Sequence, residues 1–408
     1  MRERIGARLR AAVGPDLASV GQGLVALLLS SVGDLLAGLT LGAITHTLDQ
    51  LPGLLVLVPA AIGMRGNIFG ALGSRLGTAI HAGTFRLSRR ADTVVGQNVL
   101  ASLALTLSIS LALAVLAKTI AVAFGVPHTI SIADFVVVSI VGGALSSVVV
   151  LLLTLGVAAG AGRYGWDLDN VAAPIVTAAG DMVTLPSLFL ATYLLHLHVV
   201  TPALAVVTGV LSLLALVGAA RAGLPLLRRI LQESVPVLLI AGTIDVVAGL
   251  TIEKRLESFL TFPALLVLIP PFLEDTGALG GILSSRLASK LHLGVIEPVA
   301  RPQRAARYDF VLTFLFAIPV FVLVALSTNV AAGAFHLHSP GAPRMVAISL
   351  LGGFIATSFA LGIAYYGSIA AYRLGLDPDN HGIPLITSSM DLVGAIALIL
   401  AIVVVGIR

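Results

Sequence analysis

Residues 34–59, DLLAGLTLGAITHTLDQLPGLLVLVP, recur without a gap at 245–270 as DVVAGLTIEKRLESFLTFPALLVLIP, with 11 of 26 positions identical. Matches of Leu, Ala and Val are cheap in an apolar chain, but matches of Asp and Pro are not. A second pair lies at nearly the same offset. DLDNVAAPIVTAAGD, ending at Asp181, recurs as DPDNHGIPLITSSMD, ending at Asp391. Two apolar halves carrying acids at equivalent depth predict an all-α membrane protein built by internal duplication, the construction of many transporters and channels.

Composition agrees. The 408 residues are 58% hydrophobic and 11% charged, and the mean hydropathy is +1.05. Soluble domains carry roughly 25% charged residues, so an integral membrane protein is predicted, with no stretch polar enough for a sizeable soluble domain. The absence of cysteine excludes disulfides, thiolate metal sites and cysteine nucleophiles. The net charge of +4 comes from loop arginines and gives no reason to expect a nucleic-acid partner. The basic start, MRERIGARLRAAVGPDLASVG, lacks a signal-peptide apolar core and reads as a cytoplasmic lead-in. Phosphate-cradling loops and a serine-hydrolase elbow are absent from the sequence.

A spanning helix needs about 20 apolar residues. Such runs lie at 22–44, 53–82, 97–125, 132–160, 172–195 and 202–220, then at 234–252, 262–290, 308–335, 345–371 and 383–406. The expected layout is eleven spans: a first five-helix repeat over residues 1–200, a linker helix and loop over 201–230, and a second repeat over 231–408. One linker span makes the repeats parallel. Arg2, Arg4, Arg8 and Arg10, then Arg86, Arg89 and Arg90, Arg163, Arg221, Arg228 and Arg229, and Arg301, Arg304 and Arg307 fall in alternate loops. That bias places the N-terminus inside and the C-terminus outside, although Lys254, Arg255 and Arg344 break it.

The second span of each half is expected to be interrupted: its first copy holds Pro59, Gly63, Gly66, Gly70 and Gly73. Exposed backbone beside a cavity and small-residue helix packing both explain such glycines; packing is favoured for any single one, less so for Gly66 and Gly277. The acids are the stronger signal. Asp34 and Asp245 sit within the first span of each half, and Asp181 and Asp391 about two turns into the fifth, after Pro174 and Pro384. Each costs roughly 2.5–3.5 kcal/mol at mid-membrane. Arg75 and Arg286 could pair with some of them but sit toward the cytoplasmic end, so a hydrated path or a bound cation is the simpler partner. Asp167, Asp169 and Asn170, with their copies Asp377, Asp379 and Asn380, precede the fifth span and fit either helix caps or a cytoplasmic vestibule.

The candidate ligands are all oxygens: the carboxylates, Asn67, Thr177, Thr387, Ser388 and backbone carbonyls. Soft metals prefer Cys and His, and His196/His198 and His336/His338 read as interfacial side chains at span ends. A few carboxylates in a wide polar cavity suit Mg²⁺, which sheds its water reluctantly. Spacing leaves Ca²⁺, Mn²⁺ and Na⁺ open.

The run from Pro59 through Gly63, Arg65-Gly66-Asn67 to Ser74-Arg75-Leu76 resembles the second-helix signature of the MgtE-type magnesium transporters. It is most similar to the solute-carrier-41 branch, which carries two fused copies. PPFLEDTGALGGILSSRLASKLHLG from Pro270 resembles the second copy in prokaryotic members, and the two D-x-D-N runs resemble the fifth-helix motif. The resemblance implies a multi-pass protein of a prokaryotic plasma membrane, with Mg²⁺ as the transported ion and Asp181 and Asp391 lining the pore. One chain would form the pseudo-dimer that single-copy relatives make as a homodimer, with the two aspartates facing across the axis. Asp34, Asp245, Glu274 and Asp275 would add negative potential or a coupling site. Two opposed carboxylates within ~6 Å predict competition between cation and protons. The second copy departs from the pattern, with Glu274-Asp275-Thr276-Gly277-Ala278 where the first has Gly63-Met64-Arg65-Gly66-Asn67. The soluble magnesium-sensing domains of the bacterial channel branch are missing, so gating by that device is not expected.

A Na⁺- or H⁺-coupled exchanger is the alternative mechanism. Gly180-Asp181 and Pro263-Ala264-Leu265 resemble pieces of an intramembrane aspartyl protease, but Pro263-Ala264 is simply the copy of Pro52-Gly53. Duplication explains these residues, and no enzyme is expected.

Overall fold

A computed structural model describes residues 17–88, 90–164, 168–375 and 383–407, with the side chains of all but 17–29, 164, 168–175 and 383. The first half holds α1 (Leu17–Ala43), a short α2 (Thr45–Gln50), α3 (Leu54–His81), α4 (Val94–Ala123), α5 (Ile132–Val137) and α6 (Gly143–Tyr164) joined by a π turn at Val138–Gly142, and α7 (Leu168–Thr192). After α8 (Val200–Arg221) come α9 (Pro225–Glu253), a short α10 (Leu256–Thr261), α11 (Pro263–His292), α12 (Arg304–Ala334), α13 (Ala342–Leu374) and α14 (Ile383–Val404). Among the described residues, nine helical segments are long and apolar enough to cross a membrane: α3, α4, α5 with α6, α8, α9, α11, α12, α13 and α14. The described part of α7 adds a shorter apolar helix.

The expected interruption in the second spans is absent. α3 and α11 run unbroken through Pro59 and through Pro270 and Pro271. These prolines lie within the first three turns, where each removes one hydrogen bond without ending the helix. Because α7 begins at Leu168 rather than near 172, Asp181 lies more than three turns in, deeper than expected.

The packing repeats. In the first half α3 packs on α4, α6 and α7, and in the second α11 packs on α12, α13 and α14. The first helix of each half is shared: α1 packs on α7 of its own half and crosses to α11, while α9 packs on α14 and crosses to α3. Glycine makes both crossings. A Cβ on Gly249 would stand 2.5 Å from the Val56 carbonyl oxygen, and one on Gly38 would overlap that of Val267. The pairs Gly38/Gly249 and Val267/Val56 occupy corresponding places in the two halves. Only glycine lets two helix backbones approach this closely.

α8 has no counterpart. Only 6% of its apolar stretch is buried, and it leans on α4 and α5 with Val206, Val210 and Leu214 exposed. An all-round apolar helix with so little protein cover suits lipid.

Candidate functional site

The shared first helices bring the intramembrane acids together. Asp34 on α1 lies within hydrogen-bonding reach of Asp181 on α7, and Asp245 on α9 within reach of Asp391 on α14. Glu274, on α11, lies near enough to act electrostatically on all four. Asp275, the next residue, accepts from Ser31 Oγ of α1 at 3.1 and 3.3 Å. Asp34, Asp245 and Asp275 are 0% exposed and Asp181 is 2% exposed.

Burial on this scale calls for partners, because an acceptor cut off from water and donors costs several kcal/mol. Both carboxylate oxygens of Asp34, both of Asp245 and Oδ2 of Asp181 have no hydrogen-bond partner. Two acceptor-only groups within reach of each other need something between them: a cation, a water or a proton.

The small residues of α3 and α11 form the walls. A Cβ on Gly66 would meet the Thr177 methyl at 3.7 Å, and one on Gly277 would stand 3.8 Å from both Thr387 Cβ and Asp391 Oδ1. Gly63 is tighter, since a Cβ there would stand 3.0 Å from Asp245 Oδ2. Ser388 lies beside Asp245. Thr387 returns its hydroxyl to the Pro384 carbonyl, and Asn67 is half-buried one residue beyond Gly66. Asp167, Asp377, Asp379 and Asn380 lie outside the described residues, as do the side chains of Asp169 and Asn170. Among the described residues, no three His, Asp or Glu side chains converge to ligate one ion directly. His196, His198, His336 and His338 are exposed beyond helix ends.

Sequence reasoning gave no supporting role to three residues. Ser31 is one. Arg65 is the second: 2% exposed, it donates to the Ala61 carbonyl at 3.0 Å, Ser110 Oγ at 3.2 Å and Ser146 Oγ at 3.3 Å. Its Cβ lies 3.6 Å from the place of a Cβ on Gly180, next to Asp181. The third is Glu253 at the end of α9, which accepts from the Gly53 and Leu55 backbone N–H groups at 2.7 and 3.2 Å. It thereby caps α3 and fastens the second half's first helix to the first half's second. A signal was available for Ser31 and Arg65, since the copies there are Gly242 and Thr276.

The sequence profile of the MgtE family, described as divalent cation transporter, matches residues 58–191 and again 269–401. Solute carrier family 41 member 3 of Rattus norvegicus is 26% identical over 403 residues, covering 93% of this chain and 85% of the relative. Solute carrier family 41 member 2 of Gallus gallus is 27% identical over 402 residues, covering 91% and 68%. The Homo sapiens member 2 is 26% identical over 425 residues, covering 95% and 72%. No solved structure matches the chain.

Proposed function

The chain belongs to the MgtE family of divalent cation transporters, and from that premise we propose that it carries Mg²⁺ through a carboxylate-lined path between two pseudo-symmetric repeats. The family transports and does not catalyse, which disposes of the protease reading. The observation that carries the proposal is the cluster of buried Asp34, Asp181, Asp245 and Asp275 with half-buried Glu274 and Asp391, in which five oxygens have no donor. Oxygen-only donors favour a hard cation. An ion held by fewer than three of these carboxylates keeps part of its water shell, which suits Mg²⁺ best.

In this reading residues 1–200 and 231–408 are the two repeats, parallel and joined through α8, with eleven spans, the N-terminus inside and the C-terminus outside. The arginine-rich loops support that orientation. The single chain acts as a pseudo-dimer in a cell membrane; the prokaryotic-type second-helix motif from Pro270 supports a prokaryotic plasma membrane. Asp181 and Asp391 are the pore ligands, Asp34 and Asp245 their partners, and Gly66, Gly277, Thr177 and Thr387 the wall.

The test is Mg²⁺ uptake by the purified chain in liposomes loaded with a Mg²⁺-sensitive dye. Asp181→Asn/Asp391→Asn is expected to abolish uptake. Persistent uptake at the unaltered rate would remove these two from the path. Uptake is also expected to fall as pH drops from 8 to 5, because protons compete with the cation for the same oxygens; a flat profile counts against the carboxylate path. Uptake that requires a sodium or proton gradient would identify an exchanger.

A further inference from the structure

The two aspartate pairs have different surroundings. α11 supplies Glu274, which acts on all four aspartates, and Asp275, which accepts from Ser31 of α1, the helix that carries Asp34. Beside Asp245 and Asp391, the corresponding residues of α3 are Gly63 and Met64. The counterpart of Ser31 is Gly242, which faces the Met64 methyl and Leu113. Nor does this side have room to gain an acid: a Cβ alone on Gly63 would press on Asp245 at 3.0 Å. With Glu274 shared among the four aspartates, what sets the α1 side apart is Asp275 with the Ser31 hydroxyl, where the other side has Met64 and Gly242.

We infer that the divalent cation is bound off the pseudo-twofold axis, between Asp34 and Asp181, with Glu274 acting through the ion's water shell and Asp275 behind, and with Asp245 and Asp391 a weaker second station on its path. This rests on the cation-transport reading above and specifies which half holds the ion. The independent pointer to a ligand is that Asp34 and Asp181, buried to 0 and 2% exposure, leave three oxygens without a donor. Asp275 is different, because the Ser31 hydroxyl already occupies it. It contributes charge from behind rather than a free ligand. Attraction between a dication and each added carboxylate is strongest where water is excluded, so the side backed by Asp275 holds the ion more tightly. Waters complete its coordination, since the carboxylates do not converge closely enough to do so directly.

Calorimetric titration of the purified full chain with MgCl₂ in detergent, alongside liposome uptake, decides the matter. Glu274→Gln and Asp34→Asn are each expected to weaken Mg²⁺ binding about tenfold or more, the effect of losing one charged ligand. Asp245→Asn is expected to change equilibrium binding less than about threefold while lowering uptake. Equal weakening by Asp34→Asn and Asp245→Asn, or unchanged binding in Glu274→Gln, overturns the asymmetric site and leaves the transport reading standing. No Mg²⁺ uptake by the unaltered chain would overturn that reading instead. If Asp34→Asn fails to fold, judged by a melt without Mg²⁺, the comparison of Glu274→Gln with Asp245→Asn decides alone. Glu274→Asp restores most of the lost affinity if charge is what matters there.

Discussion

Arg65 and Thr276 stand at corresponding places on α3 and α11, and the space around them is filled in opposite ways. In the first half the guanidinium lies among Ser110, Ser146 and the Ala61 carbonyl, packed against Gly143. In the second half Phe321 replaces Ser110 and lays its ring on Gly353, Ala356 replaces Ser146, and Thr276 turns its hydroxyl back to the Leu273 carbonyl at 2.7 Å. The glycine pair of the fourth span, Gly142-Gly143 and Gly352-Gly353, is kept in both. So is a serine bond beside it: Ser139 donates to the Ser110 carbonyl at 2.7 Å, and Ser349 to the Phe321 carbonyl at 2.8 Å. Duplication has preserved backbone approach and backbone hydrogen bonds, while the side-chain filler has exchanged a buried cation for an aromatic ring. Close-packed interiors allow this when volume and polarity change together.

If the frame is shared, breaking it should cost the same in either half. Gly38→Val and Gly249→Val are each expected to destabilise by about 3 kcal/mol or more, by forcing a crossing apart. Thermal melts in detergent would check this, and a large difference between the two would mean that one crossing is dispensable. The filler should behave unequally. Arg65→Ala is expected to cost about 2–4 kcal/mol through the cavity and the orphaned hydroxyls, and Thr276→Ala less than about 1 kcal/mol. Arg65→Thr/Ser110→Phe/Ser146→Ala, which transplants the second-half filler, should recover at least half of the Arg65→Ala loss, a coupling that only neighbours show.

The smallest effect should appear nearer the helix ends. Arg286 and Lys290 bond Asp309 at 3.2 and 2.6 Å, while Arg75 bonds the corresponding Asn98 at 2.7 Å. Because Arg286 and Lys290 are only 22 and 23% exposed, Asp309→Asn should cost about 1–3 kcal/mol and shed its salt dependence. Asn98→Ala should cost about 1 kcal/mol with no salt dependence at all. Melts at low and high salt separate the two.

These contrasts also show what a sequence can carry. Asp34, Asp181, Asp245 and Asp391 were legible because charge is rare at membrane depth and each recurs in register. The long spans were legible from hydropathy alone. The short α2 and α10 were not, since six residues leave no periodic signal. The crossing of α1 and α9 was hidden for another reason: apolar periodicity says which face is covered, never by which helix. Serine is ordinary in an apolar helix, so only its mismatched copy, Gly242, marked Ser31, and its role needed a partner 244 residues away. The prolines of α3 and α11 misled because proline weakens a helix locally, and flanking packing overrides one lost bond.

The crossing of first helices has a consequence for how the chain is made. Ser31 and Asp275 are 244 residues apart, and synthesis at about 5–20 residues per second separates their arrival by roughly 12–50 s. Throughout that interval α1 waits in the bilayer with Asp34 and no α11 to cover it. Newly made first halves therefore depend on α7 alone to shelter an acid, and a chain stalled before α11 presents an unfinished surface to the quality-control proteases of its membrane.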